Sequence, residues 1–158
     1  MSKTVIPVPA YDPVAVARMF AYVREAQQLG QNRGLRVEAI QRWANGQTAD
    51  SWCAEFATMV LDIAYQGRSP IGRLQSCEDI RHLAADNRWL VEVPSVGDLV
   101  LSIDPATRRA HHVGIVTALE PLAAIAGNTS PTGASSNGDG VYEHAISPEH
   151  KQYVHLPR

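Results

Sequence analysis

The sequence predicts a single α+β domain over residues 1–158, with N-terminal helices packed on an antiparallel β-sheet. Three observations carry this. The chain has 158 residues, 45% of them hydrophobic and 19% charged, which is the profile of one globular domain long enough to bury a core. Apolar residues recur at intervals of three and four in the first half, then at intervals of two in the second. Helical patterns come first and strand patterns follow without alternating, so the layers are segregated, and neither a repeat nor a linker divides the chain.

Each element has its own signal. Residues 13 to 29 carry Val16, Phe20 and Val23 at helical spacing between a proline and Gly30, so one helix is expected there. A second places Val37, Ile40 and Ala44 on one face and ends in the turn formers "NGQTADS". From Trp52 to about Tyr65 no Gly or Pro intervenes, and Phe56, Val60 and Ile63 form an apolar stripe flanked by Ala57, Leu61 and Ala64. A short helix around Ile80, Leu83 and Ala84 follows. The period then switches: "DLVLSI" and "HHVGIVT" read as strands joined by the hairpin loop "DPATRRA". "PLAAIAGNTS" is a further strand, "SPTGASSNGDG" a long polar loop, and "VYEHAI" starts what is expected to be the last strand.

Composition excludes several functions. Net charge is −2 with pI near 6.3, and no cluster of Lys and Arg interleaves with aromatics, so no nucleic-acid partner is expected. Apolar runs such as "HVGIVTAL" are too short to span a bilayer. The N-terminal "MSKTVIPVPAYDP" lacks the continuous apolar segment of a secretory signal, so the expectation is synthesis in the cytoplasm without a signal peptide. Two cysteines 24 positions apart make neither a disulfide framework nor a zinc spacing, and no HxH or HExxH occurs. No metal and no cofactor is expected.

Cys53, in "DSWCAEF", falls in the first turn of the strongest helix, with Asp50 or Ser51 placed to cap it. Unpaired N–H groups and the positive end of the helix dipole favour a thiolate there, as a nucleophile requires. The competing reading is a buried small hydrophobe in register with Phe56, Ala57 and Val60. His111 and His112 are adjacent on a strand, so their side chains should diverge and only one should face the site. Gly114 shares the face of His112 and leaves room beside it, although an isolated strand histidine is commonly a structural residue. Asn128 is a candidate to fix the imidazole tautomer, or else a turn residue of "GNTS".

"DSWCAEF", "VGDLVLS", "HHVGIV" and "GNTSPTGASSNGDGVY", in this order, resemble the CHAP family of cysteine- and histidine-dependent amidohydrolases and peptidases that cut peptidoglycan. The similarity covers about residues 35–145. It implies a papain-like fold with the cysteine at a helix N-terminus and the histidine on a facing strand. It also implies Cys53 as nucleophile, His112 as base and Asn128 as the asparagine of the "EGNT" block, with Ala126 standing where many relatives have glutamate. Asp98 and Glu143 are the next acids to consider. By analogy with papain, Gln47 is a candidate oxyanion donor or else an exposed loop residue, and Trp52 either walls the cleft or belongs to the core. The implied activity is hydrolysis of an amide or peptide bond in the peptidoglycan stem through a cysteine thioester. The enzyme would be a phage endolysin or an antibacterial effector delivered to the periplasm, with an immunity or inhibitor protein as the effector's partner. The alternative is a non-catalytic wall-binding module of the same fold.

Overall fold

A computed structural model of the chain describes residues 7–158. Residues 1–6, part of the stretch read for an export signal, lie outside it. The helices are α1 (Pro13–Arg18), α2 (Leu35–Trp43), α3 (Cys53–Ala64) and α4 (Cys77–Asp86), with a 3₁₀ turn at Gln27–Leu29. The strands are β1 (Leu90–Val91), β2 (Leu99–Ile103), β3 (Ala110–Leu119), β4 (Leu122–Thr129), β5 (Gly140–Ala145) and β6 (Lys151–Val154). They form one antiparallel sheet in the order β1-β6-β2-β3-β4-β5. The fold is therefore α+β with the helices gathered on one side. Among the described residues no helix is long and apolar enough to cross a membrane.

Alternation along the strands sorts the two faces of the sheet. Leu99, Leu101, Val113, Ile115 and Ile125 join Phe56 and Val60 of α3 in the main core. Val100, Val116, Ala124 and Tyr153 form a smaller apolar cluster on the opposite face. Helix α3 is enclosed by α1, α2, α4, β3 and β4, and even its polar residues Glu55 and Thr58 are buried. Ile63, expected on the apolar stripe, is 40% exposed at the end of that helix.

Two expectations need correction. The helix expected over residues 13 to 29 stops at Arg18, because the chain then turns to pair with the start of β5. Glu25 N–H donates to the Asp139 carbonyl at 2.7 Å, Val141 N–H donates to the Val23 carbonyl at 3.1 Å, and Val23 becomes core. Arg24 locks this turn by donating to the carbonyls of Ala21, Val23 and Val141 at 2.8, 2.7 and 3.0 Å. Secondly, β5 is not the last strand: β6 follows and inserts between β1 and β2.

Candidate active site

The start of α3 is uncapped by any side chain. Trp52 is the N-cap residue, and neither Asp50 nor Ser51 takes the capping role expected of it. The backbone ahead of the helix is held from elsewhere, since the buried Gln41 amide donates to the carbonyls of Asp50 and Asn32 at 2.9 and 3.1 Å. The first-turn N–H groups thus keep their positive potential for the sulfur of Cys53, the first residue of the helix.

That sulfur has a neighbour the sequence did not suggest. Cys77 is the first residue of α4, and its Sγ lies 3.5 Å from Cys53 Sγ, with both cysteines free and buried. The hydrogen-bonding contact with Cys77 is the largest influence holding Cys53 well below the ordinary thiol range, against the opposing effect of burial. His112 acts next, through its proximity and charge, and the Val113 N–H adds to it. The same contact and burial push Cys77 upward, opposite to the shift of Cys53.

His112 sits where β3 bulges. The β2–β3 register runs Leu101 with Val113 and Ser102 with His112, then shifts so that Ile103 meets Ala110. This irregularity relaxes the strict divergence expected of His111 and His112: both line one cavity of about 500 Å³ on the face away from the main core. His112 thereby borders the cavity and also influences Cys53. Neither of its ring nitrogens has a hydrogen-bond partner, so its contact with the sulfur falls short of a formed bond. Gly114 shares the cavity wall, and a Cβ there would meet those of Ala124 and Ala126 at 3.4 Å.

Asn128 is fully buried, with both atoms of its amide unpartnered and its backbone at φ 54°. The β3–β4 register pairs Ile115 with Ile125 and Val116 with Ala124, and its continuation would set position 112 opposite 128. No hydrogen bond joins the two side chains, although each holds buried polar atoms that lack a partner. The preceding Gly127 is forced by packing: a Cβ there would lie 2.7 Å from the Trp52 ring and 2.8 Å from Phe56 Cβ.

The remaining candidates separate cleanly. Gln47 is exposed and makes no side-chain hydrogen bond to the site. Trp52 is core rather than a cleft wall, 0% exposed, edge-on to Phe56 and donating from Nε1 to Glu25 at 2.9 Å. Asp98 is committed to His155 and Arg158, both at 2.9 Å, and Glu143 to Arg18 at 2.8 Å, so neither serves His112. Ala126 lines the same cavity as His112, so an acid at that position would face it.

Glu55, two residues after Cys53, escaped sequence reasoning. Both its oxygens are buried without a partner, and burial, then the charges of Asp50 and Cys53, raise its pKa to about 7. Its side chain fills the space beside Gly46, where a Cβ would fall 1.9 Å from Oε1. Glu78 is the structural counterpart. Arg81 holds its pKa down to about 2, and it accepts the Ala110 N–H at 2.7 Å, tying the start of α4 to the start of β3. Among the described residues no group of three His, Cys, Asp or Glu side chains could hold a metal. Set against family models, curated proteins and solved structures, the chain matches none, so the reading of this site rests on its own geometry.

Proposed function

We propose that the protein is a cysteine hydrolase of the CHAP type that cleaves an amide bond in the peptidoglycan stem peptide. The observation that carries this reading is the meeting of Cys53, at the N-terminus of α3, with His112 on β3, where the imidazole favours the thiolate. His112 takes the Cys53 proton, and the thiolate attacks the amide carbonyl, forming a C–S bond as the carbonyl electron pair moves to oxygen. The N–H groups of the first turn of α3 offer that oxyanion a positive site. Collapse breaks the C–N bond while protonated His112 delivers its proton to the leaving amine. Water, deprotonated by His112, then opens the thioester, releasing the acid and restoring Cys53.

The cavity beside His112 suits a substrate carrying carboxylates. Its charged and titratable lining is His111, His144, His150 and Lys151 against one acid, Glu149, and the half-buried Lys151 is paired with no carboxylate among the described residues. Burial lowers the pKa of that ammonium, a cost that a bound carboxylate would offset. As an endolysin or a delivered effector, the protein would act at the cell wall, and an effector would be met by an immunity protein.

One feature favours the second reading, a non-catalytic wall-binding module: Cys53 is only 4% exposed and does not line the cavity. Digestion of purified sacculi followed by mass analysis of the fragments separates the two. New amine and carboxyl ends with the wild type and none with Cys53→Ala are expected. Binding to sacculi without cleavage by the reduced wild type would establish the module instead.

A further inference from the structure

We propose that Cys53 and Cys77 are a reversible oxidation site, at which a peroxide joins the two sulfurs in a disulfide that removes the Cys53 thiol. The switching consequence rests on Cys53 being the nucleophile; formation of the bond does not.

The two sulfurs are held together by architecture. Each cysteine is the first residue of its helix, and the two sulfurs lie 3.5 Å apart, against about 2 Å in a disulfide. The helix starts are pinned by contacts that do not involve sulfur. The Thr58 hydroxyl of α3 donates to the Leu74 carbonyl at 3.3 Å, ahead of α4. The Ser76 hydroxyl accepts the Asp79 N–H at 3.3 Å and caps α4. Glu78, next to Cys77, is bonded to the Ala110 N–H and to Arg81. A packing role for Cys77 alone would be met by any small apolar side chain. A thiol facing a thiolate adds redox chemistry.

The steps balance without any further reagent. The Cys53 thiolate, its proton passed to His112, attacks one peroxide oxygen; the O–O bond breaks, Cys53 becomes a sulfenic acid, and the departing hydroxide takes that proton back from His112 to leave as water. The Cys77 sulfur then attacks the sulfenic sulfur. The S–S bond forms, the S–O bond breaks, and hydroxide leaves with the Cys77 proton as a second water. Two thiols and one peroxide thus give one disulfide and two waters. Both cysteines are buried, Cys53 4% and Cys77 7% exposed, which favours a small oxidant. A dithiol reverses the reaction by two exchanges.

The test uses the reduced full-length chain and hydrogen peroxide. Expected are the loss of two hydrogens in the intact mass, a Cys53–Cys77 cross-linked peptide under non-reducing digestion, and full recovery of both thiols with dithiothreitol. In Cys77→Ala and Cys77→Ser, Cys53 should instead proceed to sulfinic acid that dithiothreitol does not recover. Wild type that accumulates sulfinic acid at Cys53 with Cys77 still alkylatable, or that forms no cross-link, would overturn the proposal. Sacculus cleavage by the same reduced sample reports separately on the enzyme: a disulfide without cleavage supports the oxidation site and defeats the hydrolase, whereas cleavage without a disulfide does the reverse.

Discussion

Glu55 shows how burial makes a carboxylate hold its proton toward neutral pH. Both oxygens are enclosed without donors, so the charged form is penalised and the proton is held to about pH 7, against an ordinary value of 4.5. Because the folded pKa lies above the unfolded one, the folded state binds the extra proton between those values. Glu55 therefore favours folding most below about pH 4.5, and its contribution is lost as pH rises toward 7. Over that window it should lower stability by roughly 1–3 kcal/mol, and Glu55→Gln should flatten the profile in urea unfolding measured at several pH values. An unchanged profile would mean that another group titrates there. Asn128 carries a different expectation. Its amide is the candidate to orient His112, and its φ of 54° suits Asn or Gly better than Ala. Turnover in both Asn128→Ala and Asn128→Gly should fall by roughly ten- to a thousandfold, with the glycine variant keeping the fold. Full activity in Asn128→Gly would reduce Asn128 to a backbone role.

At the scale of elements, the site depends on how closely β4 lies against α3. Gly127 has no space for a methyl group between Trp52 and Phe56, so Gly127→Ala should cost about 1–3 kcal/mol, measured as a lowered urea midpoint. A midpoint unchanged from wild type would show that β4 can move away without loss. The elements differ in how far the sequence revealed them. Helices α2, α3 and α4 each present an apolar face of their own and lie where periodicity places them. The end of α1 depends on Arg24 reaching the β5 backbone more than a hundred residues further along the chain, so local pattern extended it too far. Strand β6 has four residues, too few for alternation to stand out, and gains its place by pairing with β1 and β2. Glu55 lay in what reads as a polar slot of a helix, and α3 buries it only because neighbours enclose that helix on several sides.

At the scale of the whole molecule, the fold brings two helix starts and one bulged strand to the same place. Cys53 and His112 stood out as candidates through a helix mouth, a histidine beside a glycine and, above all, the resemblance of the motifs around them. Their convergence with Cys77 was not legible, because a separation of 24 residues along the chain carries no information about 3.5 Å in space. The central claim is that this convergence makes Cys53 a thiolate and keeps Cys77 a thiol. It is tested most directly by the pH dependence of alkylation in the native, reduced protein, with each cysteine followed by peptide mass. The expected result is labelling of Cys53 first, with a midpoint below the ordinary thiol value of about 8.5, shifted upward in both Cys77→Ala and His112→Ala. Equal labelling of both cysteines, preferential labelling of Cys77, or a Cys53 midpoint at the ordinary thiol value would contradict it.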